Sequence, residues 1–96
     1  MRKRSNLEIY FEVLRAVSET GKPTHIGNYA ALSWKDTMKC LRFLESKGFI
    51  RTVNSKNGRI EYKLTRKGLE ALEALQKIVE ALRLPRQIIQ LLDADY

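Results

Sequence analysis

Asn57-Gly58 stands between two short runs of strand character, Phe49–Lys56 and Arg59–Thr65, and no other pair of residues constrains this chain as tightly. Both residues tolerate positive φ, so the pair between alternating runs marks a two-residue hairpin turn. In the second run Ile60, Tyr62 and Leu64 alternate with Arg59, Glu61 and Lys63, the pattern of a strand buried on one face. The residues before the hairpin follow a different period. Lys35, Met38, Lys39 and Arg42 recur at i, i+3, i+4 and i+7, and Thr37, Cys40, Leu41 and Leu44 repeat that spacing two residues on. Two residues are about 200° of helical turn, so one helix carries a cationic stripe and an apolar stripe back to back.

The other elements follow from caps and periods. Ser5 opens a first helix, with Glu8 completing a capping box and Leu7, Tyr10, Phe11, Leu14 and Val17 forming its apolar face. Gly21 and Pro23 stop it, and Lys22-Pro23-Thr24 reads as a very short strand. Thr24 caps a second helix over His25–Ala31, with Ile26 and Ala30 inward. Leu32-Ser33 is a turn; Ser33 with Asp36 starts the third helix, Trp34–Lys47, which Gly48 ends. Thr65 caps a fourth helix over 66–84, where Leu72, Leu75, Val79 and Leu82 step at the spacing of a coiled-coil seam, broadened by Leu69 and Ile78. Pro85 breaks that helix and starts a fifth, 86–94, made apolar by Ile88, Ile89, Leu91 and Leu92. The expected architecture is mainly α with a small β-hairpin: a winged helix-turn-helix over 1–65 and C-terminal dimerisation helices over 66–96.

With 96 residues and a net charge of +7, the chain has room for one domain and a short appendage, and its balance favours a polyanionic partner. Cys40 is the only cysteine, which excludes an intramolecular disulfide, and it reads as a small buried hydrophobe rather than a reactive thiol. No segment has the form of a signal peptide or the length to span a bilayer, so the expectation is a cytoplasmic, nucleoid-associated protein with no membrane role. The single histidine, His25, has no neighbouring acid; metal-ligand spacing, a Gly-rich phosphate loop and a nucleophile–base pair are all missing. The sequence therefore argues against an enzyme and implies neither cofactor nor small-molecule ligand.

Binding chemistry concentrates on the third helix and the hairpin. The cationic stripe holds no acid, Asp36 and Glu45 being placed elsewhere on the helix. A helix divided in this way docks one face on the core and offers the other to phosphates and base edges in a major groove. Trp34 lies between the faces, where it stacks on a sugar or base or, the reading favoured slightly, half-buries against the neighbouring helix. Lys56, Asn57 and Arg59 cluster at the hairpin tip and Arg51 lies on its first strand; such cations follow a backbone into a minor groove, or serve solubility alone. Arg2, Lys3 and Arg4 read equally as a minor-groove arm and as a disordered terminus.

Leu32-Ser33 through Gly48-Phe49-Ile50-Arg51 resembles the recognition-helix-to-wing stretch of winged-helix regulators. Tyr62-Lys63-Leu64-Thr65-Arg66-Lys67-Gly68 is similar to the strand-to-helix junction of the MarR-type group and of many small archaeal regulators. With Ser5-Asn6-Leu7-Glu8-Ile9 as its opening, most of 5–83 resembles the archaeal winged-helix family of small chromatin-associated DNA-binding dimers. The resemblance implies Trp34, Lys35, Met38, Lys39 and Arg42 facing double-stranded DNA, Lys56 and Arg59 in the wing, and a C-terminal helix pairing with its twin. The family's last helix is unbroken, whereas Pro85 interrupts this one, which implies a shorter interface. The expected contacts between copies are Leu72, Leu75, Val79, Leu82, Ile88, Ile89 and Leu92, with a fold-back of the fifth helix on the fourth as the alternative. The expected function is transcription regulation. A chromatin-like architectural role and a winged-helix module that binds protein alone are the alternatives.

Overall fold

The computed structural model describes residues 5–83, which run α1 (Asn6–Glu19), α2 (Pro23–Ala30), α3 (Trp34–Ser46), β1 (Ile50–Asn54), β2 (Ile60–Leu64) and α4 (Arg66–Arg83). The expected fifth helix, with Pro85, Ile88, Ile89, Leu91 and Leu92, and the arm Arg2–Arg4 lie outside the described residues. This is the mainly helical, hairpin-bearing architecture expected of a winged helix-turn-helix.

α1 begins where Ser5 accepts the Glu8 backbone N–H at 3.1 Å, and its hydroxyl donates to the Glu8 carboxylate at 3.3 Å. Phe11, Val13, Leu14, Ala16 and Val17 are buried along it. Leu7, expected on the same face, is 61% exposed, because the first turn overhangs the end of the core.

α2 departs from expectation at its start. It opens at Pro23 rather than after a Thr24 cap, and Lys22 at the N-cap makes no side-chain hydrogen bond. Proline has no N–H to satisfy and its φ is already helical, so it suits the first turn without a cap. The short strand expected at 22–24 is therefore absent. Its sheet contact falls one residue earlier, where the Tyr62 N–H donates to the Gly21 carbonyl at 2.9 Å. α2 ends as Ala31 turns left-handed at φ 55°, and the Leu32 N–H reaches the Gly27 carbonyl at 2.9 Å. Gly27 lets α2 cross α3 closely: a Cβ there would lie 2.8 Å from the Thr37 hydroxyl oxygen. That hydroxyl is buried and donates to the Ser33 carbonyl at 2.7 Å, so the crossing leaves no orphaned polar group.

α3 is capped by the Ser33 side chain, which accepts the Asp36 N–H at 3.1 Å. It closes on Gly48 at φ 82°, with the Phe49 N–H returning to the Leu44 carbonyl at 3.0 Å. The hairpin is antiparallel, with Ile50 opposite Leu64 and Asn54 opposite Ile60. Its tip is not the expected two-residue turn. The Gly58 N–H donates to the Ser55 carbonyl at 3.0 Å and the Ser55 N–H to the Arg59 carbonyl at 2.8 Å, which closes a three-residue loop, Lys56-Asn57-Gly58. Gly58 alone in the hairpin takes positive φ, 74°, while Asn57 does not. This is the turn-plus-glycine-bulge form, the next most favoured way to match the twist of paired strands. Burial along β2 peaks at its middle: Tyr62 is buried, Leu64 at the base is half-buried, and Ile60 towards the tip is 54% exposed. The core reaches the middle of the hairpin and ends before its tip.

α4 starts on Thr65, whose side chain accepts the Gly68 N–H at 3.1 Å and donates to the Gly48 carbonyl at 2.5 Å. The helix lies against α1. Leu72 is closed inside its own chain at 4% exposure, Leu75 and Val79 are half-buried against the core, and Leu69, Ile78 and Leu82 face outward. The tightest contact is at Gly68, where a Cβ would sit 1.8 Å from the Phe49 carbonyl oxygen. Neither partner can yield, since both are backbone. Gly68→Ala is expected to destabilise the fold by at least about 3 kcal/mol, beyond the usual range for overpacking by one methyl. Urea titration against wild type measures it, and a loss below about 1 kcal/mol would show that the two segments can move apart.

Candidate nucleic-acid interface

The two stripes of α3 separate as its spacing requires. Thr37, Cys40, Leu41 and Leu44 are buried, and Lys35, Lys39 and Arg42 are exposed. Met38, expected with the cations, is instead half-buried and packs against the core. It shares its side of the helix with Arg42, one turn on. Glu45 lies on that side too. Burial, with Glu45 second, pushes the Tyr62 phenol above its ordinary pKa, while Arg42 acts in the opposite direction. The exposed cations of α3 are therefore Lys35, Lys39 and Arg42, edged by Asp36 on one flank and Glu45 on the other.

The α1 flank of α3 is braced by a contact that the sequence pattern did not reveal. Tyr10 and Phe43 stack at 4.9 Å between centroids, 15° from parallel, and the Lys47 ammonium lies 5.7 Å from the Phe43 ring centre. Phe43 falls outside the apolar stripe, an aromatic one position from Arg42, and that misfit was the available signal. A cavity of about 270 Å³ lies beside this stack, with Cys40 and Lys39 in its wall.

The wing presents Lys56, Asn57 and Arg59 at an exposed tip. Arg51 is exposed on the outward side of the hairpin, the side that Arg59, Glu61 and Lys63 share by alternation. It pairs with Lys63, while its neighbour Ile50 is buried, so alternation turns Arg51 away from the core-facing side that carries Tyr62. Lys63 does not stand out in the sequence, because only the register makes it Arg51's neighbour. Trp34 is 57% exposed rather than half-buried against a helix. As the first residue of α3 it lies beyond the close crossing at Gly27. It edges a cleft shared with the start of α2 and the wing.

Among the described residues no group of His, Cys, Asp and Glu is arranged to hold a metal ion, and no helix is long and apolar enough to cross a membrane.

The winged helix-turn-helix family matches the chain over residues 3–83. Sso10a-2, a DNA-binding protein from Sulfolobus solfataricus, superposes with a TM-score of 0.65 at 27% identity, over 93% of this chain and 96% of that one. The transcriptional regulator BldR from the same organism gives 0.64 at 24% identity, over 90% of this chain and 68% of its own. S. aureus MepR bound to ethidium bromide gives 0.67 at 17% identity, over 97% and 74%. No curated protein matches the sequence.

Cys40, 6% exposed on the inner side of α3, has its thiol pushed up from 9.0 to about 11 by burial. The thiol is protonated and inert at neutral pH. Because the folded pKa exceeds the unfolded one, this group's contribution to stability is complete below pH 9 and is lost as pH rises towards 11. Wild type should therefore lose more stability between pH 9 and 11 than Cys40→Ala does, and denaturant titrations across that range measure the difference. Parallel curves would mean that the thiolate is accommodated in the fold.

Proposed function

The chain belongs to the winged helix-turn-helix family, and from that premise we propose that it binds double-stranded DNA and acts as a transcription regulator in the cytoplasm, on the nucleoid. One observation carries the reading: Lys35, Lys39 and Arg42 form an exposed, acid-free stripe directly behind the buried stripe of α3. A major groove admits a helix, and these three side chains have the reach for phosphates and base edges. Lys56 and Arg59, with Asn57 between them, extend the same charge to the backbone or minor groove through the wing. Trp34 adds an exposed aromatic beside Lys35. Met38 contributes less because it is half-buried, and Arg51 adds a further cation on the outward side of the hairpin that Arg59 shares. The mechanism is binding, with no reaction and no cofactor.

An architectural role is the second reading. It follows from the resemblance of 5–83 to small chromatin-associated winged-helix dimers, and Sso10a-2, a DNA-binding protein, matches this chain over nearly the full length of both. Occupancy across the genome separates the two, a few sharp sites for a regulator and broad coverage for an architectural protein.

Lys39→Ala with Arg42→Ala should weaken duplex binding while leaving the fold intact, since both side chains are exposed. Removing a side chain that reads a base edge costs about 1–3 kcal/mol. Lys56→Ala with Arg59→Ala should reduce the salt dependence of binding by about one unit of slope for each phosphate left without its cation. Fluorescence anisotropy over a salt series reads both. Unchanged binding by the α3 variant would remove this face as the DNA face, and an unchanged slope would turn the wing away from the duplex.

The working unit is a homodimer joined through 66–96, which spaces two recognition helices for paired half-sites. Ile78 and Leu82, 56% and 68% exposed, support this, because α1 covers only the Leu72, Leu75 and Val79 side of α4. Light scattering at micromolar concentration should give twice the chain mass for wild type and a monomer for Ile78→Glu with Leu82→Glu. A monomeric wild type would refute the dimer. A dimer that survives the double substitution would move the interface off these two residues.

A further inference from the structure

We propose that the cleft between the start of α3 and the wing receives a single unpaired nucleotide, its base stacked on Trp34 and its phosphate held by Lys22 and Arg59. This rests on the DNA-binding reading and adds a second kind of contact to it. The cleft has a volume of about 290 Å³, ample for one base, and lies where α2, α3 and the wing tip come together. Trp34 and Ile60, 57% and 54% exposed, give it an apolar lining on an otherwise cationic surface. Lys22, from the start of α2, and Arg59, from the wing, both line it and bring two cations to it.

Each part of that lining narrows the occupant. Phosphate alone needs the cations and gains nothing from Trp34 and Ile60. An apolar peptide would use Trp34 and Ile60 but desolvate Lys22 and Arg59 without return. A nucleotide satisfies both, since an aromatic side chain flanked by cations is the composition that binds unpaired bases. A base inside a duplex shows only its edge to the protein, so its face reaches the indole only after it leaves the stack. Asn57 lines the cleft and offers both a donor and an acceptor to the edge of such a base. The acidic member of the lining, Glu61, has its carboxylate beside the Gly21 backbone, where a Cβ would come within 3.1 Å of Oε1. Trp34 directly precedes Lys35, so a strand held along the cationic face of α3 reaches the mouth of the cleft without a gap.

Trp34 is the only tryptophan in the chain, and its emission reports the cleft alone. The intact protein is titrated with a perfect duplex and with duplexes that carry one extra unpaired thymine, stepped along the sequence. Binding is followed by end-label anisotropy and indole emission together. At one or more positions the unpaired thymine should tighten binding by about fivefold or more, the effect of one stacked base, with quenching that the perfect duplex does not produce. Trp34→Ala should bring that affinity ratio close to one, and Trp34→Phe should retain most of it. Lys39→Ala with Arg42→Ala should weaken both kinds of duplex alike and leave the ratio unchanged. Equal affinity and equal emission at every position would overturn the proposal, as would a ratio that survives Trp34→Ala. If the α3 variant binds as well as wild type while the ratio and the quenching persist, the major-groove reading fails and the cleft stands.

Discussion

The first turn of α4 rests directly on the peptide between Phe49 and Ile50, and that steric contact sets the relation between the helices and the hairpin. A Cβ on Gly68 would penetrate the Phe49 carbonyl, at 1.8 Å, so only glycine permits the approach. Around it the Thr65 hydroxyl donates to the Gly48 carbonyl and the Thr65 N–H to the Phe49 carbonyl at 3.1 Å. The Lys67 ammonium donates to the Lys47 carbonyl at 2.7 Å and lies 4.7 Å from the centre of the Phe49 ring. Such bonds contribute about 0.5–1.5 kcal/mol each, so they adjust the junction, while the backbone contact is absolute. The end of α3, both strand ends at the hairpin base and the start of α4 therefore meet at one point.

In the proposed function that junction matters because α3 and the wing each contribute cations. The Lys35–Lys39–Arg42 stripe is a property of the helix alone. Its position relative to Lys56, Asn57 and Arg59 depends on how the hairpin leaves Gly48. The same junction starts α4 towards α1, where Leu72 enters the core and Ile78 and Leu82 remain outside. The exposed cations of α3 and the wing and the exposed apolar residues of α4 are thus positioned by one set of backbone contacts. The Tyr10–Phe43 stack steadies the other flank of α3 against α1.

Local chemistry wrote the elements plainly into the residues. Ser5, Ser33 and Thr65 cap α1, α3 and α4 as their positions require, because each has its N–H partner three residues along the same chain. The division of α3 follows from helical period, and so Lys35, Lys39 and Arg42 were legible as the exposed face. Where two local signals competed, the sequence did not decide. Pro23 displaced Thr24 at the start of α2, and the hairpin tip settled into a three-residue loop that uses Gly58 and spares Asn57 a positive φ.

The sequence by itself determined the order of helices and strands, the charge of α3 and the place of the hairpin, all set by interactions within a few residues. Tertiary structure decided which side chains those elements cover. Met38 sinks against the core, Trp34 and Ile60 stay exposed along a cleft, and Arg51 finds Lys63 on the outward side of the wing. Period tells which residues share a face. Which neighbour reaches that face, and how far along it, depends on the close approaches at Gly27 and Gly68, each set by a partner distant in the sequence.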